Sequence, residues 1–230
     1  MKTPWSPLIL TCLSFLSPRL ASAVIKRDNS EVQSTIQYST AALHRLMATA
    51  ETSIPRKLIQ DASCVASIHI LKVGFIWGIH VGRGVVSCRS PTGTWDAPLF
   101  VDLASLSWGP QVGLEVMDLV LVFTGHSAKE RFAAGNVSLS AEGGLTVGPL
   151  GREISRRTNF AIYDAAYSYF QSQGVFIGIS LEGSFLMPDR QLNQDAYGER
   201  TLQQTLDDSK DSSPVNVHPY MNALALCSDY

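Results

Sequence analysis

Charge is scarce in this sequence. Asp, Glu, Lys and Arg make up 17% of its 230 residues and nearly cancel, leaving a net charge of −2. The chain therefore lacks the electropositive balance of a nucleic-acid binder, and any anion site must be local. The apolar run Leu8 to Leu16 falls well short of the roughly 20 residues that a membrane-spanning helix needs. Catalytic signatures are missing too: there is no GxSxG elbow and no HExxH helix, and His44, His69, His80, His126 and His218 are scattered. The cysteines include no CxxC pair and no histidine at zinc spacing. No enzyme activity and no cofactor is expected.

The patterns that come nearest to a site fail on context. Gly78 to Gly84 reads GIHVGRG, but a phosphate loop places its glycines between a strand and a helix N-terminus. Here Gly84 runs straight into the strand-like VVSC, so the glycines mark a bend or a close backbone approach. Glu115 and Asp118, three apart on one extended apolar segment, point to opposite faces and cannot form a dyad. His69 and His80 fall on neighbouring strand segments, with Asp96 or Asp102 as carboxylates, but the spacing is not that of a metal site. Most aromatics read as core, whereas Trp95, in the PTGTWDAP turn, reads as exposed and suited to a membrane interface.

What the chain does have is 45% hydrophobic residues, ample for one buried core. The first 23 residues resemble a secretory signal: Lys2, the apolar run, then Ala21 and Ala23 at the positions a signal peptidase reads. Residues 24–198 then form the domain, and residues 199–230 a polar linker and terminal helix that completes it. After a cleavage, Cys64, Cys88 and Cys227 remain, compatible with one disulfide and a free thiol or with buried unpaired cysteines. A secreted or secretory-pathway protein is the expectation, with a cytoplasmic, membrane- or cytoskeleton-associated one as the alternative.

Periodicity sets the fold class. Val32, Ile36, Leu43, Leu46, Met47 and Ala50 fall on helical spacing, so Ser30 to Thr52 reads as a helix, with Ser30 and Gln33 as a capping box. A short helix follows from Pro55 to Asp61, then a strand from Cys64 to Leu71. Short apolar runs between glycine turns continue to Phe123, a brief helical stretch spans His126 to Ala134, and Asn136 to Val147 reads as one more strand. Gly148, Pro149 and Gly151 form a rigid turn, and Tyr163 to Ser184 supplies further sheet. HPYMNALAL, at 218–226, makes a last helix. The sum is an α+β domain, mainly antiparallel β in a barrel-like or strongly curved sheet, with N-terminal helices and short C-terminal helices.

Basic residues gather at Arg56 and Lys57, at Arg83 and Arg89, and at Arg152, Arg156 and Arg157. The last three, beside the rigid turn, offer bidentate donors to a phosphate-bearing head group. Asn136, in Asn-Val-Ser, is the sequence's single N-glycosylation acceptor.

Six segments in order carry a family resemblance: GTWDAP (93–98), WGPQVGLEVMDLVLVF (108–123), AGNVSLS (134–140), GPLGR (148–152), GVFIGISLEGS (174–184), and Asn193 followed by Tyr197 and Gly198. Together they resemble the SYLF domain family, to which Ysc84-type actin-binding proteins and secreted bacterial relatives belong. The resemblance spans Ser30 to Leu226. It implies a β-rich α+β domain without enzyme activity that binds an anionic lipid or membrane surface, phosphoinositides among eukaryotic members, with actin as the alternative partner. Expected lipid or anion contacts are Arg45, Arg56, Lys57, Arg152, Arg156 and Arg157. The first helix departs from the lysine-rich helix of lipid-binding relatives, setting only His44 and Arg45 against Glu31 and Glu51.

Overall fold

The computed structural model describes residues 29–48, 54–74, 77–108, 113–125, 127–135, 137–139, 145–147, 166–173, 184–207 and 216–228. The first helix, α1 (Asn29–Ala48), buries Val32, Ile36, Leu43 and Leu46 along one stripe. It starts before Ser30, which lies inside the helix and is not its cap. Pro55 fixes the entry into the short α2 (Arg56–Gln60).

Four long strands follow, β1 (Cys64–Gly74), β2 (Trp77–Cys88), β3 (Leu99–Trp108) and β4 (Gly113–Phe123), then α3 (Ala128–Ala133). The expected strand at 136–147 is two short ones, β5 (Val137–Leu139) and β6 (Leu145–Val147), with Gly143-Gly144 between them in the sequence. After β7 (Ala166–Gln173) and β8 (Ser184–Pro188) come α4 (Arg190–Tyr197), α5 (Leu202–Leu206) and α6 (His218–Ser228).

The eight strands form one sheet in the order β5-β8-β3-β2-β1-β4-β7-β6. Among the described residues only the β6–β7 pair is parallel. The α+β class stands as expected, and the sheet is curled but open, not a closed barrel.

Over the part of the sheet nearest Cys64 and Phe123 both faces are buried, so the central strands read there as apolar on nearly every residue. On one face Val65, Val85, Phe100, Val120, Val122 and Tyr169 pack against α1, α2, α4 and α6. On the other, Ala66, Ile68, Val86, Leu103, Leu119 and Leu121 pack against α3 and α5, with Phe132 and Leu206 inserted. The α4 helix is locked to β3 by Asn193, whose Oδ1 accepts from Phe100 N at 2.9 Å while Nδ2 donates to Phe100 O at 2.7 Å. Tyr197 adds a hydroxyl donation to Pro98 O.

Cys64 and Cys88 are directly paired across β1 and β2 and form a disulfide, while Cys227 is free and buried in α6. Trp95 corrects the sequence reading. It is buried, its indole donates to Ser228 Oγ at 3.2 Å, and the Arg89 guanidinium lies 4.2 Å above its ring. A ring held in this way is unavailable to a membrane interface.

Candidate interaction face

Strand register resolves the α1-covered face into rows that run across the sheet. Ser39 of α1 donates its hydroxyl to Ser67 O at 2.9 Å, which seats the helix over the row Phe100–Val85–Ser67–Val120–Tyr169. The next row outward is Met187–Asp102–Arg83–His69–Asp118–Gln171, and it binds the flank of the helix. Arg83 donates to Glu31 and, at 3.2 Å, to Asp102, with Asp189 at 3.7 Å. Asp118 accepts from Arg45 Nε at 2.6 Å and lies 2.9 Å from His69 Nδ1, on whose ring Tyr38 stacks at 5.3 Å.

One row further out, α1 no longer covers the sheet. There the register aligns Phe185–Ala104–Val81–Leu71–Val116 across five strands. Phe185 is 54% exposed, Val81 50% and Leu71 39%; Met187, beside them, is 42% exposed, and Tyr38 on the helix 55%. Beyond this row the backbone pairs Leu106, Ile79, Val73 and Leu114, all apolar by sequence. Single exposed aliphatics are ordinary on a protein surface, whereas several in one row make a candidate interaction face. Sequence reasoning missed it because Leu71 and Val81 have the same alternation as their buried neighbours. The available clue was that a helix is only about 10–12 Å wide and shields only a few strand residues on its face.

Of the expected basic site residues, Arg45, Arg56 and Lys57 lie within the described residues. Arg45 is committed to Asp118 inside the fold. Arg56 and Lys57 are exposed on α2, which packs against α6, and Lys57 pairs with Asp61 at 2.8 Å. Arg152, Arg156, Arg157 and Asn136 lie outside the described residues.

Two other polar features carry less. On the opposite face one row aligns Ser105, His80, Lys72 and Glu115, all buried. Burial pulls the Lys72 ammonium below its ordinary value against the pull of Glu115, 3.9 Å away. Burial, and then Lys72, holds the His80 imidazole below its ordinary value, with Glu115 opposing. His69 and His80 are on adjacent strands as expected but face opposite sides, as do Glu115 and Asp118. A cleft of about 580 Å³ near α2 and α3 contains Arg89 and Lys129. Arg89 donates to the carbonyls of Ile59, Ala62 and Gly93, and Lys129 contacts Asp96 and Asp207, so both cations already serve the fold.

Residues 104–227 match the family model described as Ysc84, Las17-binding protein actin regulator. The SH3 domain-containing YSC84-like protein 1 of Xenopus laevis is 37% identical over 147 residues, 64% of this chain and 44% of that protein. Its Homo sapiens counterpart is 37% identical over 145 residues, 63% of this chain and 42% of that protein. The LAS seventeen-binding protein 3 of Saccharomyces cerevisiae (strain ATCC 204508 / S288c) is 31% identical over 178 residues, 76% of this chain and 39% of that protein. The chain thus spans less than half the length of these relatives.

Proposed function

Because the chain belongs to the Ysc84 family, we propose that it is a non-enzymatic protein-interaction module of the actin machinery, docking its partner on the exposed row from Phe185 to Val116. The observation that supports this reading is that row itself: an uncovered apolar face next to a row that α1 caps and a row that is ion-paired. The names of the relatives, Las17-binding and actin regulator, supply the class of partner.

Binding of the purified chain to Las17 and co-sedimentation with actin filaments test it. Val81→Asp and Phe185→Asp place a charge on the row and are expected to weaken binding by at least about tenfold, the effect of losing a well-packed anchor, with circular dichroism unchanged. Undiminished binding in both variants rejects the face. No binding to either partner rejects the reading.

Contact with anionic lipid is the second reading, supported by the same aliphatic row and by the exposed Arg56 and Lys57. Phosphoinositide-containing vesicles are the separate arm, and binding through the basic residues weakens with salt. An actin-regulatory role favours the cytoplasmic alternative over the secretory route, and N-terminal sequencing decides between them. The proposed domain runs over residues 24–198 and is completed by 199–230, whose Leu206, Tyr220 and Leu224 lie in the two cores.

A further inference from the structure

The uncovered strip of the sheet has a floor and one wall. Its floor is the row that contains Phe185, Val81 and Leu71, all exposed, followed outward by a row that is apolar by sequence. Its wall is α1. Glu31 meets Arg83 on β2, Ser39 meets Ser67 on β1 and Arg45 meets Asp118 on β4, so the helix crosses the strands in sheet order and borders the strip. Tyr38 stands on that border: its ring stacks on His69, two residues before Leu71 on β1, and stays exposed.

Backbone hydrogen bonding limits what can lie there. Val81 and Leu71 belong to β2 and β1, each paired on both sides, so the floor beneath them offers no backbone group to a partner. An extended or irregular segment laid on it loses water from its own N–H and C=O groups and finds nothing in exchange. A helix carries those bonds within itself. The sheet of a second copy does so too, but the floor, about 24 Å by 13 Å from strand and row spacing, is roughly 300 Å², well below the ~800 Å² per partner of a stable interface.

We propose that the partner enters as one amphipathic helix, laid beside α1 across β3, β2, β1 and β4 with Tyr38 at its flank. The form of the partner is what this adds, and it rests on the row being the docking face. The dimensions agree. Two rows on one face of a strand are about 6.7 Å apart, so two rows make a strip about 13 Å wide, and a helix with its side chains measures about 10–12 Å. The exposed row spans roughly 19 Å between its outer strands, the length of about 13 helical residues. Helix neighbours three and four residues apart rise by about 4.5–6 Å, close to the strand spacing of about 4.8 Å, so apolar anchors at i, i+4, i+7 and i+11 fall about one to a strand. With so small a floor the affinity is expected to be modest, roughly micromolar.

The probe is a fluorescein-labelled, lactam-bridged peptide of about 14 residues, Glu, Lys and Ala with leucines at those four positions, and its control carries a central proline that breaks the helix. Anisotropy titration of the full chain is expected to show the helical peptide binding at least about tenfold more tightly than the control, and at least about tenfold more weakly to Val81→Asp or Leu71→Asp than to the native chain. Glu130→Arg, on the exposed surface of α3, is expected to change nothing. Equal binding of the two peptides, or of native and substituted chains, overturns the proposal. Absence of peptide binding together with vesicle binding that Val81→Asp abolishes overturns it in favour of lipid.

The natural partner is read separately, with photoreactive benzoylphenylalanine in place of Val81 and Las17 or actin added. Adducts three and four residues apart on a single helix of the partner are expected. Adducts at alternate residues or scattered over loops overturn the helix, and adducts to a second copy that grow with protein concentration overturn it in favour of self-association. Peptide binding without adducts to Las17 or actin keeps the helix site and rejects those partners, whereas loss of both overturns the site and the proposed function together.

Discussion

Arg45 of α1 and Asp118 of β4 form an ion pair, Nε to Oδ2, at 2.6 Å, and the other oxygen of Asp118 lies 2.9 Å from His69 Nδ1. The carboxylate is 4% exposed, so its partners are what make its burial tolerable. Asp118→Ala removes the carboxylate that Arg45 and His69 share at the helix–sheet seam. It is expected to cost about 3 kcal/mol in urea unfolding, whereas Arg45→Ala, at a half-open position, costs nearer 1 kcal/mol. Arg45→Ala should lower stability while leaving vesicle binding unchanged, which separates a structural arginine from a lipid contact.

How far the sequence could be read follows from what kind of signal each element gives. Helix α1, strand β1 and α6 announce themselves through their period, whereas β2 to β4 read as short apolar runs between glycines, and Gly78, Gly82 and Gly84, read as separators, lie inside β2. The α4 and α5 helices did not: each is one or two turns long, and the signal lies in the caps. Asp189 accepts from Leu192 N, and Thr201 with Gln204 forms a capping box. Asn193 and Tyr197 were legible as family residues, but their work, holding the backbone of Phe100 and Pro98, is a tertiary contact that no local pattern encodes. The exposed row was hidden for a similar reason. Alternation tells which residues share a face, not how far a helix extends over it.

The Cys64–Cys88 bond closes the open end of the β1–β2 hairpin, at a sequence separation of 24. A loop of that length implies a stabilisation of about 3 kcal/mol through the unfolded chain. The Cys64→Ser/Cys88→Ser double variant should therefore unfold at lower urea by that margin. Alkylation of the native unfolded chain without reductant should label neither cysteine. Equal labelling before and after reduction would mean that the two thiols are free in the purified protein, and the loss should then be small.

His80 makes stability depend on pH with a definite sign. Burial, then Lys72, keeps its folded-state pKa below the ordinary value. As pH falls through about 6.5 the unfolded chain binds the proton first. Stability is thus full above that value and declines below it, with a slope of up to about 1.4 kcal/mol per pH unit until the folded imidazole also protonates. His80→Gln is expected to flatten the decline between about pH 7 and pH 5 even if it lowers stability throughout. Unfolding midpoints measured at both pH values show this, and parallel declines in the two proteins would assign the effect to another group.

Gly82 and Gly84, in the GIHVGRG stretch, separate two kinds of glycine. A Cβ on Gly84 would lie 2.0 Å from Ser67 O and 2.7 Å from Ile68 Cα, both backbone atoms of the adjacent strand. That backbone cannot yield without opening the β1–β2 pairing, which ties together the centre of the sheet. A Cβ on Gly82 meets Ile70 Cγ1 at 2.8 Å and Ile68 Cγ2 at 2.9 Å, side-chain atoms that can shift, with His69 O at 3.2 Å. Gly82→Ala should therefore cost about 1–3 kcal/mol, the ordinary range for overpacking. Gly84→Ala should exceed about 4 kcal/mol and leave little soluble, cooperatively melting protein. A Gly84→Ala chain that melts with the wild type would show that β1 and β2 approach less closely than this, and a Gly82→Ala chain that fails to fold would show that the isoleucine side chains are as fixed as backbone.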